Sequence, residues 1–230
     1  MGLGKPSCGL PSRMLGACET SERSGFPVPA RKKLRLLVNN PNACYPEKHP
    51  VSESASEENL RYPVGRYRPP APIHAEQREP WIRDIEALPH KLGAAVAGLS
   101  DAQLDTPYRA GGWTIRQVVH HLPDSHLNSY VRFRLAMTED APTIKTYDEA
   151  KWAELPDART APVELSLALL ESLHARWAIF LRSLTDADFA RTLRHPEWGQ
   201  IRLDWTLGQY AWHCHHHVAH ITGLRSRQGW

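Results

Sequence analysis

Cysteine is scarce: four residues in 230, at Cys8, Cys18, Cys44 and Cys214, with none spaced as a CxxC pair. That pattern excludes a disulfide scaffold and the usual structural zinc modules, and it fits a reducing, cytoplasmic setting. Long apolar runs are missing too, so no spanning helix is expected. A surplus of one charge is also absent. Lys and Arg number 28 against 25 Asp and Glu, a formal net charge of +3, which is too weak a field to hold a phosphate backbone. Neither nucleic acid nor membrane is expected as a partner. The opening MGLGKPSCGL has no apolar core of a secretion signal, and Pro6 stands where a myristoylation pattern needs Ser or Thr.

Tryptophan is missing from residues 1–60, which hold 7 Pro, 5 Gly and 7 Ser without a sustained helical or strand period. Such a segment cannot offset its ordering entropy, so 1–60 reads as a disordered N-terminal extension. Its basic patch Arg31-Lys32-Lys33-Leu34-Arg35 reads as a solvated tail. All eight Trp lie at Trp81 or later, so the folded domain is expected over 61–230.

Within that domain the apolar spacing predicts four long helices, at about 73–98, 114–138, 162–183 and 206–225, and no strand alternates convincingly. The expected fold class is all-α, a four-helix bundle with short capped connecting helices. The two halves echo one another. Leu99-Ser100-Asp101-Ala102-Gln103 returns as Leu184-Thr185-Asp186-Ala187-Asp188, and Trp113-Thr114-Ile115-Arg116-Gln117 returns as Trp205-Thr206-Leu207-Gly208-Gln209. Each copy presents a hydroxyl cap with a polar residue three positions on, the mark of a capping box. Eight residues beyond each of Trp113 and Trp205 stands a histidine, His121 and His213.

What the chain has in excess is histidine, 13 in all, with five between 213 and 220. His213 and His217 are four apart, as are His216 and His220, so either pair can share a helix face. The apolar stripe of Leu207, Tyr210, Ala211, Cys214, Val218 and Ile221 places His213 and His217 at the edge of the core and turns His216 and His220 away from it. The same count on the second helix, together with the repeat, favours His121 over His120. Three imidazoles from two neighbouring helices make a three-ligand site with open positions, as catalytic divalent metals require. The plainer alternative is a set of surface or hydrogen-bonded core histidines. His126 and His174 lie on the apolar faces of the second and third helices, His49, His74, His90 and His195 have no partner at ligand spacing, none of the six is assigned chemistry, and Cys214 reads as a small buried side chain.

Arg61-Tyr62-Pro63-Val64-Gly65, the stretch Gly112 to His121, Asp124 to Tyr130, Lys151-Trp152-Ala153-Glu154-Leu155, His195-Pro196-Glu197 and Trp212 to Ile221 together resemble the YfiT branch of the DinB superfamily over about residues 61–225. The resemblance implies a DinB-like bundle, usually dimeric and cytoplasmic. It implies a divalent metal, zinc or nickel, on one His of the second helix and a C-terminal HxxxH pair, which match His121, His213 and His217. It further implies metal-dependent hydrolysis of a small-molecule substrate. Relatives that pass low-molecular-weight thiols such as bacillithiol or mycothiol to electrophiles make thiol S-transfer the alternative, and a non-catalytic metal-binding bundle is the third reading. Asp124, Asn128 and Tyr130 could orient a ligand or carry a proton, but no general base stands out. Two prolines depart from the expected pattern. Pro123, two residues after His121, removes a helical hydrogen bond and should kink the second helix, and Pro80 should delay the first helix to about Trp81.

Overall fold

Capping chemistry decides where the helices of this chain begin. Thr114 is extended (φ −68°, ψ 162°), its hydroxyl accepts from the Gln117 N–H at 3.1 Å, and the Gln117 side-chain oxygen accepts from the Thr114 N–H at 2.9 Å. The same reciprocal box closes at Ser100 with Gln103 and at Thr185 with Asp188. In each case two orphan donors of a first turn are satisfied.

The computed structural model describes residues 55–230. In chain order these form α1 (Ala55–Arg61), a 3-10 turn (Ala75–Gln77), α2 (Arg78–Val96), α3 (Asp101–Leu104), α4 (Ile115–Thr138), α5 (Glu149–Ala153) and α6 (Pro156–Thr160). After these come α7 (Val163–Arg182), α8 (Asp186–Phe189), the strands β1 (Thr192–His195) and β2 (Gly199–Arg202), and α9 (Leu203–Gln228). The four long helices α2, α4, α7 and α9 make the bundle. α2 packs along both α7 and α9, and α7 packs along α4, whereas α4 meets α9 more sparingly. That looser seam leaves room for side chains other than packed aliphatics.

The core is continuous. Ile85, Leu88 and Leu92 of α2, Ile115, Leu122 and Phe133 of α4, Leu170, Trp177 and Leu181 of α7, and Leu207 of α9 are fully buried. Trp177 lies at its centre, edge-on to Phe133 at 5.7 Å and to Tyr210 at 5.8 Å between ring centroids, the geometry that aromatic quadrupoles favour. Arg116, 5% exposed, ties α4 to its neighbours. It bonds Asp105 at 2.7 Å, Asp101 at 2.8 Å and the Ala161 carbonyl at 3.1 Å, fixing α3 and the α6–α7 joint against α4.

The structure departs from the sequence reading at several points. A two-stranded antiparallel hairpin pairs Leu193 with Ile201 and turns at Gly199 (φ 73°); four-residue strands are too short to show alternation. β2 runs directly into α9, so α9 starts at Leu203 and Thr206 is not its cap. Thr206 lies inside the helix, donating to the Arg202 carbonyl at 3.0 Å. The fully buried Asp204 holds the first turn instead, accepting from the Trp205 N–H at 2.8 Å and from Arg202 at 2.6 Å, and a carboxylate there suits the helix dipole. α4 runs unbroken through Pro123. α2 starts at Arg78 with Pro80 in its first turn, where a missing N–H costs little. α1 occupies the last residues of the expected extension and crosses its boundary at 61; the rest of that extension, 1–54, lies outside the described residues, as does His49. No helix of the described residues is long and apolar enough to cross a membrane.

Gly208 shows why the two halves differ. It occupies the position of Arg116 in the repeat, and a Cβ there would stand 2.5 Å from the Tyr67 hydroxyl and 3.0 Å from the Trp81 ring. Tyr67 cannot simply swing away, because its hydroxyl donates to the Trp205 carbonyl at 3.2 Å. Gly208→Ala should therefore lower stability by about 1–3 kcal/mol through overpacking, despite alanine's helix-propensity gain of about 1 kcal/mol. Urea unfolding checks this, and a stabilised variant would contradict it.

Candidate metal centre

His121 in the middle of α4 and His213 and His217 one turn apart on α9 point across the loose seam at one another. The Nε2 atoms of His121 and His213 are 3.3 Å apart, and those of His213 and His217 are 3.0 Å apart. All three ligand atoms lie within 4.8 Å of one another, with His121 and His217 buried and His213 half-buried. A tetrahedral ion with bonds of 2.0–2.1 Å places its ligand nitrogens about 3.3 Å apart. The seam thus holds the edges of such a polyhedron.

Hydrogen bonds assign the tautomers. His220 Nε2 faces the Arg61 carbonyl at 3.0 Å, and a carbonyl only accepts, so that nitrogen carries the proton. Nδ1 of His220 is then bare and accepts from Nδ1–H of His217 at 3.4 Å, which leaves Nε2 of His217 unprotonated toward the centre. A parallel relay runs behind His213, whose Nδ1 is 3.0 Å from Nε2 of His126. His126 stacks on His174 at 4.8 Å, and His174 Nδ1 donates to the Ile85 carbonyl. Outer-sphere partners of this kind orient metal-binding imidazoles and raise their basicity.

Burial holds these rings uncharged. His121 is pushed down to about 3, first by burial and then by His220, and His213 and His217 fall well below the ordinary value for the same leading cause. His216 is pushed down to about 3 and His220 to about 4, burial again being the main cause. Neutral imidazoles with lone pairs converging at 3.0–3.3 Å repel one another unless a proton or a cation lies between them. The donor set therefore fits a divalent ion suited to nitrogen ligands.

The structure brings together the three residues singled out from sequence and corrects the setting of others. His216 and His220 do not face away; they are 7% and 3% exposed. Residues outside the helical repeat cover them: Tyr62 lies 5.8 Å from His216 and Tyr108 stacks on His220 at 3.9 Å. His216, His217 and His220 form a second cluster of potential ligands, in which the bonds of His220 give it the part of a relay. His126, assigned no chemistry at its place on the apolar face of α4, backs His213 from that inward position. His120 is a core histidine, bonded to Ser166 Oγ at 2.7 Å and the Ala161 carbonyl at 3.1 Å. Tyr130 takes a hydrogen bond from Arg134 at 2.9 Å, and Asn128 donates to the Asp124 carbonyl at 2.9 Å; both bonds stay within α4. Asp124 differs, its carboxyl raised to about 6 by burial and then by Asp157. Trp113 walls the site, 4.7 Å from His121 and stacked at 6.5 Å on His217. Cys214 is buried, and burial keeps its thiol protonated by raising it beyond the ordinary range.

Two outcomes follow from this geometry. His220→Phe keeps an aromatic ring against Tyr108 but removes the relay to His217, and should weaken zinc binding about 10- to 100-fold in a chelator-competition titration; unchanged affinity would refute the relay. The second concerns acid. The buried imidazoles have folded pKa values below their unfolded value of about 6.5, so the stability they contribute is intact above that pH and is lost as pH falls toward 3 to 4. The thermal midpoint of the metal-free protein should decline across that window, and a flat profile would contradict the burial of neutral histidines.

Comparison with known proteins gives the family of the chain. The model of the DinB superfamily matches residues 84–221. YfiT of Bacillus subtilis (strain 168), provisionally named a metal-dependent hydrolase, is 55% identical over 173 residues, covering 75% of this chain and 97% of YfiT. A relative from Bacillus cereus (strain G9842), named in the same provisional way, is 55% identical over 172 residues, covering 75% of this chain and 99% of its own. The solved structure of YfiT from Bacillus subtilis, described as having an unusual four-helix bundle topology, superposes with a TM-score of 0.73 over 75% of this chain and 99% of its own. With the family model spanning more than half its length and relatives at 55% identity covered almost end to end, this chain belongs to the DinB superfamily.

Proposed function

We propose that the protein is a metal-dependent hydrolase whose divalent ion, zinc or nickel, is held by His121, His213 and His217. The observation that carries this reading is the convergence of three imidazoles, with Nε2 of His213 3.3 Å from that of His121 and 3.0 Å from that of His217 and all three ligand atoms within 4.8 Å, backed by the His126 ring behind His213 and the His220 ring behind His217. Three protein ligands leave a coordination position for water or substrate, the arrangement that separates catalytic from structural sites. When bound, such an ion polarises a carbonyl oxygen and draws the pKa of water toward neutrality. The chain's own residues supply the rest. His126 and His220 hold the ligand rings in one tautomer, and Trp113 and Tyr210 wall the seam on either side of the ligands. Asp124, one helical turn beyond His121 with its carboxyl raised to about 6, is suited to take up a proton near neutral pH.

The test reloads metal-stripped protein with zinc and follows hydrolysis of 4-nitrophenyl acetate and an anilide, beside conjugation of a small thiol to monochlorobimane. Zinc should restore hydrolysis. His213→Ala should lower it at least about a hundredfold, a loss of roughly 2.7 kcal/mol in the barrier, with the helical circular dichroism retained. Thiol conjugation without hydrolysis would replace the reading by S-transfer. Zinc that raises the melting temperature without turnover of either kind would leave a metal-binding bundle.

A further inference from the structure

Three histidines of α9 form a second triangle beside the first. His216 and His220 stand one turn apart with His217 between them in sequence, so all three project within one side of the helix. Their ring centroids are 4.3 Å (His216–His220), 4.9 Å (His216–His217) and 5.3 Å (His217–His220) apart. In the triangle of His121, His213 and His217 the separations are 4.4, 4.9 and 5.4 Å. The ring planes cross steeply in both, at 63–74° in the one and 59–77° in the other. In each set a ligand atom from every residue lies within 4.8 Å of the others. The two triangles have the same proportions and share one vertex, His217.

The second triangle is short of hydrogen bonds. His216 is 7% exposed, yet its Nδ1 has no hydrogen-bond partner, whereas buried polar atoms are nearly always paired. Nδ1 of His217 and Nδ1 of His220 are 3.4 Å apart. That is long beside the roughly 2.9–3.0 Å usual for an N–H donor, and it lies near the edge of about 3.3 Å between nitrogen ligands of a tetrahedral ion. Neighbours hold the rings in place. Trp212 stacks on His216 at 4.4 Å and Tyr108 on His220 at 3.9 Å, while the Arg61 carbonyl accepts from His220 Nε2 at 3.0 Å and so leaves Nδ1 with the lone pair.

We propose that His216, His217 and His220 bind a second divalent cation, joined through the His217 imidazole to the ion on His121 and His213. An all-imidazole donor set selects zinc, nickel or copper over magnesium and calcium. With only the first ion bound, Nδ1 of His217 keeps its proton and His220 acts as relay. The second ion takes the place of that proton, which leaves to solvent, and bonds both Nδ1 atoms directly. The charges of Arg109 and Arg227 are felt at His220 and oppose a cation there, so this site fills after the first. Because the Arg61 carbonyl and the Tyr62 ring lie against its ligands, the second ion fastens the end of α1 to α9. The site shares a ligand with the proposed hydrolytic centre but depends on no reaction there.

The experiment counts metal rather than turnover. Untagged, metal-stripped protein is equilibrated with zinc at micromolar free concentration, and bound metal per chain is read by elemental analysis, with circular dichroism checking the fold of each variant. The wild type should hold two ions. His213→Phe and His216→Phe should each hold one, and His217→Phe, which breaks both triangles, none. Phenylalanine at 216 keeps a ring against Trp212 and Tyr62, and His216→Leu gives the same reading if that ring is not accommodated. The proposal is overturned by a wild type that binds no zinc, by two ions in the 216 variants, by a single wild-type ion that survives them, by an ion retained in His217→Phe, or by loss of all zinc from His213→Phe. A single wild-type ion lost in His216→Phe and kept in His213→Phe upholds this site and takes the metal away from the hydrolase reading.

Discussion

Three imidazole lone pairs directed at one point between α4 and α9 are the constraint around which this molecule is arranged. Left alone, such a convergence repels, so neighbouring elements must hold it. Along the seam the bundle gives up tight aliphatic packing: α4 and α9 are the sparsely contacting pair, whereas α2 is packed closely against both α7 and α9. The better-packed side of the bundle fixes the two backbones, and the loose side receives the histidines.

A second layer makes the convergence specific. Each of the two α9 histidines has its outer nitrogen engaged, His213 by His126, which stacks on His174, and His217 by His220, which donates to the Arg61 carbonyl. Two of these anchors come from outside the helices that bear the ligands. The Arg61 carbonyl belongs to the end of α1, and the Ile85 carbonyl to the middle of α2. The tautomer of His217 is therefore set by a part of the chain far from it in sequence. Tyr62 and Tyr108 complete the cover by burying His216 and His220.

Local signals were legible where local physics decides. The three capping boxes at Ser100, Thr114 and Thr185 formed as the spacing indicated, because a cap needs only four consecutive residues. The four long helices follow from apolar periodicity, and His121, His213 and His217 from position relative to that stripe. The reading lost its hold where a remote neighbour intervened. Thr206 has the sequence of a cap, but the β1–β2 hairpin delivers the chain to Leu203 already in register for a helix. His216 and His220 lie off the apolar stripe of α9 and would face water on an isolated helix; residues 61–67 and Tyr108 exclude it. Pro123 lacks one hydrogen bond, yet packing along α7 keeps α4 continuous.

The sequence by itself determined the helices, most of their starts, the family and the three residues that meet, because periodicity, capping and ligand spacing are short-range properties of the chain. Only the tertiary structure decided which nitrogen of each ring faces inward and why His126 and His220 belong with the three converging histidines. Those outcomes depend on which carbonyls and rings approach from elements tens of residues away, and on water being shut out of the seam. No pattern within a single helix encodes either.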